Sequence, residues 1–318
     1  MRIVGIDYPC MDMGVFCEEI PADGGLSVMQ DTTLMGGGKI PNALVAATRL
    51  SAEASMLGSC GDDRYGIKCC EDLEFNGVST KALVRKPGRT ALCICIADQK
   101  TGGKRCIESP ATYARLRPEE LDVAQIEGAD MLLLYEMDET AVAAAKIAKA
   151  HGVPVLVDGD EFDPRTQENL ALIDVLIMSE YYYGAIAGDN GENYEAVLRQ
   201  VCDCGPRAAV VTLGANGCAG VGKEGFFRLP ACSGYPVIDT TGAGDVFHGA
   251  FAYYDCAGWN AEECCRRASA VSYIKCSRLG GRTAIPTASG VEAFLQTGVM
   301  RQEDFDKRTE FYRNAAFT

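Results

Sequence analysis

Apolar positions along this chain follow two alternating rhythms. Short unbroken runs at residues 2–6, 131–135, 153–157, 175–178 and 208–213 read as buried strands. Between them lie stretches with helical spacing: the alanine-rich segment after Gly36-Gly37-Gly38, the segment ending at Phe75, residues 139–150, the apolar segment after Gly244, and residues 261–276. This alternation predicts parallel strands joined by crossover helices. Two stretches depart from it. Residues 15–34 are extended pieces around the turn-rich Pro21-Ala22-Asp23-Gly24-Gly25, and residues 90–107 form a similar pair around Gly102-Gly103. Both read as β-hairpins. The charged residues 300–314 predict a terminal helix facing solvent. Ligands gather at strand ends in such a sheet. Asp12, in the loop that leaves the first strand, Glu136, and the group Asp158-Gly159-Asp160-Glu161 therefore stand at positions open to substrate or magnesium, or to plain solvation.

A chain of 318 residues can bury a sizeable core, as one large domain or two ordinary ones. Its 30 Lys and Arg against 44 Asp and Glu give a net charge of −14, which argues against nucleic acid or an anionic membrane as the main partner. A chain this acidic would have to hold a nucleotide with backbone amides and metal ions. Sixteen cysteines without a signal-like N-terminus predict reduced thiols and a cytoplasmic protein. The close sets, Cys69-Cys70, Cys93/Cys95, Cys202/Cys204 and Cys264-Cys265, include no Cys-x-x-Cys, and only His151 and His248 could assist, so zinc is not expected. No apolar run approaches the roughly 20 residues of a membrane span.

The chemistry concentrates in Asp239-Thr240-Thr241-Gly242-Ala243-Gly244-Asp245-Val246-Phe247-His248-Gly249-Ala250. A glycine turn running into a helix start offers free amides and the positive end of a helix dipole, an anion site suited to phosphate. Asp245 at its rim is either a helix cap or a proton acceptor. The run closely resembles the second signature of the ribokinase-like (phosphofructokinase B) carbohydrate kinases. It is neither a Walker A loop nor the glycine loop of protein kinases. Gly36-Gly37-Gly38-Lys39-Ile40-Pro41-Asn42-Ala43 resembles the first signature of that family. Gly61-Asp62-Asp63-Arg64-Tyr65-Gly66 matches a softer third pattern, its acids placed to cap the helix that follows.

The resemblance spans nearly the whole chain, with features of ribokinase and of the sulfofructose kinase branch. It implies a three-layer α/β/α core with a mostly parallel sheet, residues 1–12, 36–88 and 109–318, and a small inserted β lid, residues 13–35 and 89–108. It implies transfer of the ATP γ-phosphate to a sugar hydroxyl, with Asp245 as base and the amides of Gly242, Ala243 and Gly244 as anion hole. Asp12, Gly37, Gly38 and Asn42 would bind sugar hydroxyls, and Lys39 would reach the substrate or sit on the surface. Glu108 and Glu136, lining the pocket, favour a neutral sugar. Thr212, Gly214 and Gly217, together with Ser269 on the 261–276 helix, would contact the nucleotide, although Asn216-Gly217 alone also reads as a hairpin turn. Asp239 and Thr241, with the 275–284 loop, would bind potassium. Where the family carries Asn-x-x-Glu for magnesium this chain has Ser179-Glu180-Tyr181-Tyr182, leaving Glu180 to order a metal-bound water. Lid-to-lid pairing would make a homodimer. Two other readings stay open: a nucleoside kinase, with Phe16 as its base-stacking wall, or a regulator that binds sugar or nucleotide without turnover.

Overall fold

The computed structural model describes residues 1–98, 100, 104–188 and 191–316; the expected Gly102-Gly103 turn lies outside them. The chain opens with β1 (Arg2–Asp7), a hairpin of β2 (Cys10–Cys17) and β3 (Met29–Gly37), α1 (Lys39–Arg49), β4 (Glu53–Gly61), α2 (Arg64–Phe75) and β5 (Val78–Lys86). A second hairpin, β6 (Leu92–Asp98) and β7 (Lys104–Ser109), precedes the short α3 (Val123–Glu127). Then come β8 (Met131–Leu134), α4 (Glu139–Ala150), β9 (Val155–Gly159), α5 (Pro164–Glu168), β10 (Val175–Met178), α6 (Glu180–Ala187), α7 (Tyr194–Asp203) and β11 (Ala208–Thr212). The hairpin partner β12 (Cys218–Gly222) and β13 (Gly225–Leu229) lead to four helices, α8 (Ala243–Cys256), α9 (Ala261–Lys275), α10 (Ala288–Thr297) and α11 (Glu303–Ala315).

Nine strands form one sheet in the order β13-β12-β11-β10-β9-β8-β1-β4-β5, parallel from β5 to β11, with β12 and β13 antiparallel at one edge. Its strands read as unbroken apolar runs because both faces are covered. Met131 and Leu133 of β8 face the cluster that includes α1, α8 and α9, while Leu132 and Leu134 face the cluster that includes α4, α6 and α7. The result is the three-layer α/β/α arrangement. A separate four-stranded sheet, β3-β2-β6-β7, is built from the two hairpins, with β2 and β6 running parallel.

Two boundaries differ from expectation. The small sheet starts at Cys10 and its first hairpin ends at Gly37, so Asp12 sits within strand β2 rather than in a loop, and only Tyr8-Pro9 separates β1 from β2. The terminal helix is not simply solvated. Phe305, Thr309 and Tyr312 of α11 are buried, and the Tyr312 hydroxyl donates to Asp72 Oδ1 of α2 at 2.7 Å. A charged sequence hides this face because its apolar stripe is only one residue wide per turn.

One close approach positions the site. A Cβ on Gly249 of α8 would lie 1.9 Å from the carbonyl oxygen of Ala43 on α1. Only glycine lets these helices come together this tightly, and the two carry Asn42 and Asp245 respectively.

Candidate active site

At the strand ends of the large sheet, beneath the small sheet, lies a cavity of about 650 Å³. Its floor is the start of α8. Gly242 is the N-cap, in the left-handed region at φ 72°, and no side chain caps the helix. Asp245 is therefore not a cap; it stands in the first turn with its side chain at the cavity. The Ala243 amide closes the turn onto the Thr240 carbonyl at 3.1 Å, which removes it from the expected anion hole. Among the described residues no hydrogen bond occupies the Gly242 or Gly244 amide, so those two remain for an anion.

Asp245 is held from α1. Asn42 Nδ2 donates to its Oδ2 at 2.8 Å, and Asn42 Oδ1 in turn accepts from Arg282 Nε at 2.8 Å. Arg282 is fully buried and donates through Nη1 to Asp72 Oδ2 at 2.5 Å and through Nη2 to the Gly37 carbonyl at 3.3 Å. Asn42 thus has its carbonyl and one amide hydrogen engaged within the protein, leaving one hydrogen for a sugar hydroxyl. The Gly37 carbonyl is likewise taken, and its Cα leaves room for the Asp12 carboxylate, which a Cβ there would strike at 2.1 Å. Asp12, Gly38, Lys39, Asn42, Glu108 and Glu136 all line the cavity; Gly37 stands just behind.

Two of these are engaged in ion pairs, Lys39 with an acid of the 158–161 group and Glu136 with two arginines that the sequence did not single out. Lys39 Nζ forms an ion pair with Asp160 and lies 4.6 Å from the centre of the Tyr135 ring. Burial works against its charge, but Asp158 and Asp245 more than compensate and raise its pKa. Glu136 pairs with Arg115, whose guanidinium covers the Tyr8 ring at 4.6 Å, and with Arg165 at 3.2 Å.

Further carboxylates complete the cleft. Asp7, at the end of β1, accepts the Ile40 amide at 3.0 Å; burial foremost, with the nearby Asp245 charge, pushes its pKa up to about 7. Asp158, near the end of β9, is 3 % exposed and is pushed up to about 6 by burial, against the influence of His248 and Lys39. Its Oδ1 has no hydrogen-bond partner and lies 3.5 Å from His248 Nε2.

The other nominated residues divide. Thr212 lines the cavity, with its hydroxyl on the Met178 carbonyl at 3.3 Å; Gly214, Gly217 and Ser269 are not among the lining residues. A Cβ on Gly217 would meet the Leu229 carbonyl at 2.0 Å, so that glycine lets the β11–β12 turn pack against the end of β13. Glu180 is exposed and outside the cavity, which rules against its expected part in holding magnesium. Tyr182 is fully buried, bonded to Gln167 at 2.8 Å, and Ser179 caps α6. Phe16 does not line the cavity either. Around the roof, Cys93, Cys95 and Cys106 bring their three Sγ atoms within 4.8 Å of one another, a grouping that the separate cysteine spacings concealed.

The sequence profile of the pfkB family carbohydrate kinases matches residues 2–288. The chain belongs to this family. Among similar proteins, the ATP-dependent ribose-1-phosphate kinase of Halopiger xanaduensis is 29% identical over 301 residues, covering 93% of this chain and 98% of that one. The ribokinase of Bacillus subtilis is 27% identical, covering 93% and 100%. Among solved structures, the ribokinase of Thermotoga maritima superposes with a TM-score of 0.77 at 27% identity, covering 93% of this chain and 99% of that one. Arabidopsis thaliana ribokinase, complexed with ribose and ATP, gives 0.76 at 23% identity, over 93% and 98%. At that identity it supports the fold alone.

Two ions implied by the family fare differently against these residues. Magnesium fits: the orphaned, buried Asp158 Oδ1 and the Asp160 carboxylate are hard oxygen donors beside the anion site. Potassium does not fit. The Asp239 and Thr241 carbonyls, its expected ligands, accept from Nζ of the buried Lys275.

Proposed function

We propose that the protein transfers the γ-phosphate of ATP to a hydroxyl, most simply a primary one, of a small neutral sugar. The observation that carries this is that Asp245 faces the cavity from the first turn of α8, caps nothing, and directly follows the turn that presents the Gly242 and Gly244 amides. As the acceptor oxygen bonds to phosphorus and the bond to the ADP oxygen breaks, Asp245 takes the hydroxyl proton. The two amides and the α8 dipole stabilise negative charge on the transferred phosphoryl oxygens. Asp158 and Asp160 would hold magnesium, which supplies charge neutralisation for the ATP phosphates when bound. Lys39, tethered between Asp160 and Tyr135, brings a positive charge to the same corner. The small sheet acts as the lid that excludes water, since free water would otherwise accept the phosphate.

A neutral acceptor is supported by the charge of the cleft. Asp7, Asp12, Glu108, Glu136, Asp158 and Asp245 face it, while Lys39 and Arg115 are both already paired with acids. Arg115, 58% exposed, is also the one observation that favours a second reading, a phosphorylated sugar as acceptor. A nucleoside acceptor is less well supported because the Tyr8 and Tyr135 rings each have a cation over one face. Exposed Leu26 and Val28 in the β2–β3 connection, with Met29 on β3 and Ile107 on β7, support a homodimer through the lid. Sedimentation at several concentrations tests that assembly.

An ADP-release assay with ribose, fructose, ribose 1-phosphate and a nucleoside panel tests the reaction. Turnover with a neutral sugar is expected. Turnover only with the phosphate ester moves the assignment to the second reading, only with nucleosides to a nucleoside kinase, and tight sugar binding without any ADP release to a regulator.

A further inference from the structure

The turn that presents the anion-binding amides is held from beneath by a cation of the chain's own. Lys275, the last residue of α9, is fully buried, and its Nζ donates to the Asp239 carbonyl at 2.9 Å and to the Thr241 carbonyl. The Asp239 side chain closes the other side. Its Oδ1 accepts the Thr241 amide and its Oδ2 the Gly280 amide, each at 2.8 Å, tying the loop before α8 to the loop after α9. Burial alone would raise the Asp239 pKa; the Lys275 charge and these amide bonds outweigh it and hold the carboxyl below its usual range. Two carbonyls and a carboxylate thus gather directly behind Gly242. Without a positive charge among them, they would repel the phosphoryl group that the turn must receive.

We propose that Lys275 is a tethered replacement for a monovalent metal ion. It is a positioning residue that fixes residues 239–242 and frees nucleotide binding and turnover from any need for potassium. This rests on the kinase reading of the Gly242 turn, which it deepens. The chemistry is direct. An ammonium carries the same unit charge as potassium and satisfies carbonyl oxygens by hydrogen bonds, and being covalently attached it neither dissociates nor responds to the salt. A second cation cannot join it, because the same carbonyls are already engaged and the two charges would repel in a dry interior.

The test compares wild type with Lys275→Met in potassium chloride and in choline chloride at equal ionic strength, reading ADP affinity by calorimetry and turnover by ADP release. Rubidium-soaked crystals report ion occupancy by anomalous scattering. Wild type should show the same affinity and turnover in both salts, and no rubidium peak at the Asp239 and Thr241 carbonyls. Lys275→Met should lose roughly tenfold in turnover in choline, recover with a saturable potassium dependence, and acquire the rubidium peak. Potassium activation of the wild type, or a rubidium peak in it, would overturn the proposal, as would a variant indifferent to salt and as active as wild type. The wild-type arms stand even if the variant does not fold. Absence of turnover with every acceptor would remove the kinase reading while leaving the rubidium result decisive for Lys275.

Discussion

Asn42 donates to the Asp245 carboxylate at 2.8 Å from a helix 203 residues away in sequence. The hydrogen bond aims Asp245 at the cavity, and Asn42 is itself aimed by Arg282. Replacing Asn42 with Ala removes both bonds at once. Turnover should fall about ten- to a hundredfold through misplacement of the base, with a smaller change in ADP affinity. A variant whose kcat is unchanged and whose sugar KM alone rises would make Asn42 a substrate ligand only.

The Arg282–Asp72 pair lies in the protein interior, with Asp72 also receiving the Gly36 amide and the Tyr312 hydroxyl. Removing one partner strands a buried charge. Arg282→Met is expected to lower unfolding free energy by about 3–5 kcal/mol, measured by urea denaturation. The double change Arg282→Met with Asp72→Asn should cost less than the sum of the singles; strict additivity would show that the two groups do not interact.

Gly249 is the point at which α8 touches α1, and a methyl group there would lie 1.9 Å from the Ala43 carbonyl oxygen. Gly249→Ala must push the helices apart or kink one of them. Loss of both thermal stability and turnover is expected, since the same contact sets the Asn42–Asp245 distance. A variant with wild-type melting temperature and rate would show that the approach is not required.

Asp7 has its pKa raised from 3.8 to about 7, chiefly by burial. The folded protein therefore keeps a proton on Asp7 between these two values, where the unfolded chain has released it. Stability from this group is present below about pH 4 and is lost as pH rises through 7, at up to about 1.4 kcal/mol per pH unit. Urea denaturation at pH 5 and pH 8 should show wild type losing more stability than Asp7→Asn over that interval. Parallel losses would remove Asp7 as the cause.

Local pattern carried the sheet well. Strand 175–178 and helix 139–150 coincide with β10 and α4, because uninterrupted apolar runs and alanine-rich spacing need no distant partner to be read. The acids before α2 do cap it, through Asp63 on the Gly66 amide. The glycine signatures also converge on one cavity. What escaped was decided by long-range pairing. Lys275 and Arg282 belong in sequence to a polar turn, yet both are fully buried because carbonyls, Asp72 and Asn42 wait for them up to 240 residues away. Asp12 reads as a loop residue, but β2 begins two residues before it, at Cys10. The 305, 309, 312 spacing of α11 was a readable signal of a buried face, outvoted by the surrounding charge.

In the proposed reaction Asp245 takes the acceptor proton while the amides of the glycine turn hold the phosphoryl group. Asp245→Asn keeps the side chain's size and can still bond to Asn42, so fold and ADP binding should persist. Single-turnover phosphorylation of the best sugar should slow by at least about a hundredfold in this variant; phosphorylation at the wild-type rate would contradict the account.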